Sequence, residues 1–172
     1  MKQSDQGLLR FSSFINNEWV SRKDEFSVIN PATGAVLADV SNGTVDDTNH
    51  AVESAENALS HWQSLSPQVR SSLLIKWHDL MLEHSDELAR ILTLEQGKTL
   101  TEAKGEINYS ASYVQWFAEE GKRIYGDVIT SSNNTQRLLV VKQPVGVVSA
   151  ITPWNFPCAM IMRKAAAALA AG

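Results

Sequence analysis

Hydrophobic and polar residues alternate over short distances in the first 40 residues. Turns of Asn16-Asn17 and of residues 30–34, Asn-Pro-Ala-Thr-Gly, contain the residue types that tight turns require. They separate four β-prone pieces, at residues 14–15, 19–20, 26–29 and 36–37. This pattern predicts small antiparallel hairpins.

From Asp46 to about Gly121 the hydrophobic residues recur with a helical period. We expect four helices, of which the second begins at Ser66-Pro67, the third runs from Ser85 to near Gly97, and the fourth begins at Thr99 in a capping box with Glu102. The predicted apolar stripes are Ala51, Ala55, Ala58 and Trp62 in the first helix, Leu73, Trp77, Leu80 and Met81 in the second, and Ala103, Ile107, Ser110, Val114, Phe117 and Gly121 in the fourth.

The last third of the chain has strand and helix signals of a different kind. Residues 126–136 are polar and predict a loop, and residues 137–142 predict a strand. Residues 145–151, Val-Gly-Val-Val-Ser-Ala-Ile, predict a strand buried on both faces, as in a parallel sheet. A helix should follow with Pro157 in its first position. Strand, loop and helix form half of a doubly wound α/β unit, in which ligands bind at the carboxyl ends of strands.

Composition narrows the classes of function. The 172 residues carry a formal net charge of −4, which gives no basic surface for nucleic acid. The longest apolar stretch, residues 165–171, is too short to cross a membrane, and the first six residues lack a signal-peptide pattern. A single cysteine, Cys158, excludes an intrachain disulfide and favours a cytoplasmic location. No residue cluster has metal-ligand spacing.

Residues 165–172 predict an apolar helix, and no polar segment follows it in this sequence. We interpret this as truncation within a larger fold, and the alternative is a short buried helix at the end of a small domain.

The segment at residues 152–157, Thr-Pro-Trp-Asn-Phe-Pro, concentrates the candidate chemistry. Two prolines restrict the backbone around Asn155, whose amide has two hydrogen-bond donors. A donor held in this way could stabilise negative charge in a transition state, although the residue types alone favour a turn asparagine.

Residues 151–157, Ile-Thr-Pro-Trp-Asn-Phe-Pro, resemble the signature of the aldehyde dehydrogenase superfamily. Further segments resemble the family in the same order: residues 29–34, 95–98, 102–106, 116–121 and 163–172. Within the family, residues 116–127 and 160–164 are most similar to succinate-semialdehyde dehydrogenases. One departure is Ala166-Ala167, where the family commonly has Gly-Pro.

The resemblance implies a mechanism and a set of site residues. A cysteine thiolate attacks the aldehyde, hydride passes to NADP or NAD, and a glutamate activates the water that releases the acid. Asn155 would donate to the oxyanion, and Phe156 would form a wall of the substrate tunnel. The dinucleotide would lie against five residues: Ile151, Thr152, Pro153, Trp154 and Asn155. Lys164 would lie near the catalytic glutamate, or alternatively form an ion pair on its helix.

Arg163 bears on the choice of substrate. Residues 156, 159 or 160, and 163 share one helix face, so Arg163 should point the same way as Phe156, with Ala159 leaving room between them. A guanidinium there suits the far carboxylate of an ω-carboxy aldehyde. The alternative is a surface arginine, and the resemblance favours the carboxylate.

Cys158 is interpreted as a packing residue, because the family's nucleophile lies in a segment after residue 172, as does its general base. The resemblance therefore implies an α/β fold and an N-terminal part of the family's dinucleotide-binding domain. Residues 1–125 would form hairpins and helices, residues 126–144 an oligomerisation arm, and residues 145–172 the first strand, loop and helix of an incomplete Rossmann-like core.

The whole protein would oxidise succinate semialdehyde as a dimer of dimers, and the 172 residues alone would be inactive. Two alternatives stay open. One is another semialdehyde dehydrogenase, such as a glutarate-semialdehyde dehydrogenase. The other is a non-catalytic short product that binds a partner through its exposed helix or binds nothing.

Overall fold

The computed structural model describes residues 7–172; the N-terminal six residues, where a signal peptide was not expected, lie outside them. Four strands come first: β1 (Ser13–Ile15), β2 (Glu18–Val20), β3 (Glu25–Ile29) and β4 (Val36–Ser41). Four helices follow: α1 (Val45–Ser64), α2 (Pro67–Glu83), α3 (Ser85–Gln96) and α4 (Leu100–Glu120). A 3₁₀ turn (Gly121–Arg123) leads to β5 (Asp127–Ile129), β6 (Leu138–Val140) and α5 (Pro157–Ala171).

The strands form three separate antiparallel hairpins, and the first two confirm the predicted turns. Between β1 and β2, Asn16 and Asn17 have φ of 51° and 61°, the left-handed conformation that a two-residue hairpin turn requires. Between β3 and β4, the Asn30 side chain accepts a hydrogen bond from the Ala32 amide at 2.9 Å, and Gly34 has φ of 72°. Local turn chemistry therefore determines both hairpins.

Helices α2 and α4 begin where their predicted caps lie. Ser66, directly before Pro67, is the N-cap of α2, and its side chain accepts a hydrogen bond from the Val69 amide. Thr99 forms the expected capping box with Glu102 at the start of α4. A second capping box, Thr44 with Asp47, begins α1 and was missed in the sequence. Gly97, with φ of 85°, ends α3 in the left-handed conformation that favours glycine.

Helix α4 is the centre of the core. Its predicted stripe is confirmed, with Ala103, Ser110 and Val114 fully buried and Ile107 nearly so. On one side it packs against α2 and α5, where Leu74, Met81, Ala166 and Ala170 are buried. Nearer its N-terminus it packs against Ala89 and Leu92 of α3. Small residues bring α5 close to the end of α4, since a side chain on Gly121 would approach the Ala170 carbonyl oxygen to 3.2 Å.

The predicted stripes of the first two helices are partly wrong. Ala51, Ala55 and Ala58 of α1 are exposed, and in α2 the buried leucine is Leu74, while Leu73 is 45% exposed. Periodicity shows that a helix has an apolar face, whereas burial depends on which neighbour packs against it.

The segment after α4 differs from the predictions in two places. Residues 126–136 were expected to be a loop, but Asp127–Ile129 pairs with Leu138–Val140 as a hairpin. The predicted strand at 137–142 is thus confirmed in its centre.

The second difference concerns residues 145–151, which form no strand. Gly146 has φ of 108°, outside the β region, and Val145 and Ile151 are 93% and 87% exposed. A parallel strand needs neighbouring strands for its backbone hydrogen bonds, and no strand among residues 7–172 pairs with this segment. The helix predicted from Pro157 is confirmed as α5.

Candidate functional site

The motif loop, residues 152–156, leads directly into α5. Trp154 is 78% exposed, Asn155 is exposed, and Phe156 is 43% exposed and occupies the N-cap position of α5. Pro157 takes the first helical position, where its missing amide costs no hydrogen bond. The loop thus leaves Asn155 exposed at the start of a helix that is packed into the core.

Glu106 of α4 caps α5 in place of Phe156, which has no polar side chain. Its carboxylate accepts from the Cys158 amide at 2.9 Å and from the Ala159 amide at 3.3 Å. The Glu106 side chain is only 1% exposed. A buried carboxylate at a helix N-terminus satisfies free amides and is favoured by the helix dipole.

Lys98 joins Glu106 to the motif loop. Its ammonium group forms an ion pair with Glu106 and donates to the backbone carbonyl of Asn155 at 3.0 Å. It also lies 4.5 Å from the centre of the Phe156 ring, a cation–π distance. One lysine therefore contacts the buried carboxylate and two consecutive residues of the loop.

A cleft of about 450 Å³ opens beside these residues. Phe156 forms part of its wall, together with Gln96, Lys98, Glu102, Gly105, Glu106 and Tyr109. The cleft combines an aromatic ring with charged groups, so it could accept a small polar molecule.

Arg163 lies one helical turn from Ala159 on α5 and is exposed. Its guanidinium carbon is 6.0 Å from the ring centre of Tyr113, and the Tyr113 hydroxyl is hydrogen-bonded to that of Tyr109. Because Tyr109 also borders the cleft beside Phe156, the tyrosine pair connects the surroundings of Phe156 and Arg163. Ala159 is 1% exposed and packs inward, so it does not lie in open space between them.

Lys164 is half-buried, and its ammonium group donates only to the Met160 carbonyl of its own helix, at 3.4 Å. Within residues 7–172 it forms no ion pair, so the alternative of an ion-paired helix lysine finds no partner there.

Cys158 packs against both parts of the core. Burial raises the pKa of its thiol. A hydrogen bond with Ser110 lowers this pKa and the charge of Glu106 raises it, and the net pKa is raised. A thiol with a raised pKa stays protonated at neutral pH and is a poor nucleophile. This environment suits packing, as the sequence suggested.

Lys98 and Glu106 lie in segments that resemble the family, but the sequence did not predict their contacts with Asn155 and with the start of α5. One signal was present: Glu106 lies between Ala103 and Ile107 on the buried stripe of α4, where a charged residue needs a partner. The partners of Glu106 could not be named from the sequence. Lys98 lies eight residues before it, and the Cys158 amide lies 52 residues after it.

Among residues 7–172, no group of three or more His, Cys, Asp or Glu side chains could hold a metal ion. In the same part of the chain, no helix is long and apolar enough to span a bilayer.

Comparison with known proteins decides the family, because residues 19–172 match the model of the aldehyde dehydrogenase family. The chain belongs to the aldehyde dehydrogenase family. The predicted fold class is confirmed as well: a crystal structure of an NADP-dependent enzyme from E. coli superimposes with a TM-score of 0.95 at 52% identity, over 99% of this chain and 36% of that one.

Two curated relatives cover the whole chain. The NADP⁺ succinate-semialdehyde dehydrogenase of Escherichia coli K12 is 52% identical, and the glutarate-semialdehyde dehydrogenase of Pseudomonas putida is 51% identical. In each case the alignment covers 36% of the relative, so this aldehyde dehydrogenase chain spans about a third of the length of these relatives.

Proposed function

We propose that the whole protein, of which these residues form the N-terminal part, is an NAD(P)-dependent aldehyde dehydrogenase that oxidises succinate semialdehyde to succinate. The observation that carries the proposal is the family signature at residues 151–157 in a chain 52% identical to a succinate-semialdehyde dehydrogenase. The exposed Asn155 at the start of α5 supports it.

Asn155 serves as the oxyanion donor in this proposal. A thiolate from outside this chain attacks the aldehyde carbon, and the carbonyl oxygen becomes negatively charged. The Asn155 amide donates a hydrogen bond to that oxygen, and a donor whose backbone is already fixed loses little entropy in doing so. The proposed catalytic role of Asn155 therefore depends on the order of the motif loop.

The dinucleotide would contact Ile151, Thr152, Pro153, Trp154 and Asn155. Ile151 and Trp154 are 87% and 78% exposed, and such open apolar side chains fit the planar rings of NADP or NAD. When bound, the dinucleotide accepts the hydride. The names of both E. coli relatives, which specify NADP, support this cofactor class.

Arg163 would bind the far carboxylate of the substrate, and Phe156 would line the path to it. Arg163 is exposed, with its guanidinium carbon 6.0 Å from the centre of the Tyr113 ring, and a planar guanidinium suits hydrogen bonding to a carboxylate. The chain length of the substrate is a finer matter. A glutarate-semialdehyde dehydrogenase is 51% identical, and one methylene changes binding by only about 1–3 kcal/mol, so glutarate semialdehyde is the second candidate.

The arm formed by β5 and β6 supports the proposal that the whole protein is a dimer of dimers. Both strands are exposed, with Val128 74% and Leu139 72% accessible, and unpaired strand edges readily join other chains. A cytoplasmic location, which the single cysteine suggests, belongs to the same proposal.

A substrate panel tests the function. We expect kcat/KM for succinate or glutarate semialdehyde to exceed that for butanal by roughly 10-fold or more, as hydrogen bonds to a charged group allow. Equal kcat/KM for butanal would contradict the semialdehyde assignment, and the absence of any aldehyde oxidation would contradict the enzyme class.

A further inference from the structure

We propose that Lys98 and Glu106 are positioning residues for the oxidation: together they hold the backbone of Asn155 so that its amide faces the reacting carbonyl oxygen. This inference rests on the proposed function, because it takes Asn155 as the oxyanion donor. It adds two residues that make no contact with the reacting atoms and act through the motif loop.

The first step of the argument concerns Glu106. A carboxylate that is 1% exposed is costly to bury unless its oxygens are hydrogen-bonded. Here they are, since two amides of α5 and the Lys98 ammonium surround it. The cost of burial is thus offset only when the start of α5 lies in one place relative to α4. Glu106 therefore fixes the base of the motif loop.

The second step concerns Lys98. With Glu106 fixed, the Lys98 ammonium is held where it donates to the Asn155 carbonyl and faces the Phe156 ring. Its side chain is 11% exposed, so these interactions are little screened by water. The peptide group that carries the Asn155 side chain therefore has one orientation rather than several. Pro153 and Pro157 restrict the loop on either side, but neither donates a hydrogen bond to it.

The third step is the consequence for the reaction. A hydrogen-bond donor contributes to the transition state only if it is already aimed at the oxyanion, and small displacements are costly. Loss of the Lys98–Glu106 pair should therefore lower kcat, while KM for the aldehyde and the affinity for the dinucleotide stay unchanged. If the pair only stabilised the fold, its loss would change neither kcat nor KM once the protein was folded.

The test uses the whole protein with the double substitution Lys98→Met and Glu106→Gln, which removes both charges and so leaves no buried charge unpaired. We expect kcat to fall by between about 10- and 100-fold, with KM unchanged. Amide hydrogen exchange in residues 152–159 should become faster, while exchange in α3 should not change. Lys98→Arg, as the only substitution, keeps the positive charge and should retain most of the wild-type kcat.

The matched control is Lys104→Met, which removes a lysine of α4 that pairs with Asp86 at the surface. It should leave both kcat and loop exchange unchanged. Should the double variant fail to fold, Glu106→Gln alone keeps the volume and one acceptor oxygen and should still lower kcat. Unchanged kcat in a folded variant, or a loss of kcat without faster exchange in residues 152–159, would overturn the inference.

The same experiment separates this inference from the proposed function. If the wild-type protein prefers another aldehyde, the substrate assignment fails, and kcat of the variants and of the wild type is measured with that aldehyde instead. If it oxidises no aldehyde at all, the proposed function fails, and exchange at residues 152–159 decides whether the pair orders the loop.

Discussion

Asn155 combines an exposed side chain with a backbone that is held in place. The Asn155 residue is exposed, while its backbone carbonyl accepts a hydrogen bond from Lys98, whose side chain is mostly buried. An exposed side chain contributes little to stability, so substitution of Asn155 should leave the fold intact. The chemistry and the stability at this position can therefore be separated by substitution.

The first prediction is that Asn155→Ala in the whole protein lowers kcat by roughly 10²–10³-fold, because one oxyanion donor is lost. The melting temperature should not change, since the side chain is exposed. Steady-state kinetics and thermal unfolding measure the two effects. Asn108→Ala, which removes an exposed asparagine of α4, is the matched control, and near-normal turnover of Asn155→Ala would contradict the role.

The second prediction concerns substrate selection by Arg163. Arg163→Ala should reduce kcat/KM for succinate semialdehyde. The reduction should correspond to about 1.5–3 kcal/mol of transition-state free energy, because a hydrogen-bonded charge pair is lost. The reduction for butanal should be much smaller, since butanal has no carboxylate. Arg90→Ala, on the exposed side of α3, should affect neither substrate. Equal losses for both aldehydes would mean that Arg163 is structural.

At the scale of elements, what could be predicted from the sequence was what local chemistry determines. The capping residues Ser66 and Thr99 and the turn at Asn16-Asn17 act within a few residues, and the helices and hairpins begin where they predict. Residues 145–151 show the limit. Their composition suits a buried strand, but a strand exists only where another strand bonds to it, and a single segment does not reveal that partner.

The two neighbouring leucines of α2 test the packing directly. Leu74 is 2% exposed in the core with α4 and α5, whereas Leu73, which the sequence pattern favoured, is 45% exposed. Leu74→Ala should lower the free energy of unfolding by about 2–5 kcal/mol, as buried leucine truncations do. Leu73→Ala should cost much less. Similar losses in denaturant titrations of the two variants would show that the face of α2 is assigned wrongly.

The start of α1 predicts a pH dependence. A hydrogen bond from the Arg22 guanidinium, and then one from the Thr44 amide, holds the pKa of Asp47 well below its usual range. Because the unfolded chain then binds the proton more tightly, the stabilisation is present above about pH 4 and is lost as the pH falls below it. Asp47→Asn should flatten this decline in the free energy of unfolding.

Asp46→Asn is the control for that experiment, because Asp46 is an exposed carboxylate in the same helical turn. It should keep the pH dependence of the wild type. Parallel pH profiles for the wild type and Asp47→Asn would contradict the account of this cap.

At the scale of the whole molecule, the described residues expose much apolar surface. A groove of about 380 Å³ lies between α1, α5 and residues 146–148, and it is lined mainly by apolar side chains, among them Leu59, Val147 and Leu169. Asn155, Phe156 and Arg163 could be named from the family resemblance. The Lys98–Glu106 pair could not, because it depends on contacts of Lys98 with the motif loop and of Glu106 with the start of α5, which lie 52 to 57 positions away along the chain.

The central claim is that this chain contributes an oxyanion donor to a semialdehyde dehydrogenase whose nucleophile lies elsewhere in the whole protein. The most direct test measures reduction of NADP by succinate semialdehyde with the whole protein and with the 172-residue chain, side by side. The only thiol of the chain is Cys158, whose pKa is raised by burial. We therefore predict turnover by the whole protein and none by the chain alone. Reduction by the chain alone that disappears in Cys158→Ser, or no reduction by the whole protein, would contradict the claim.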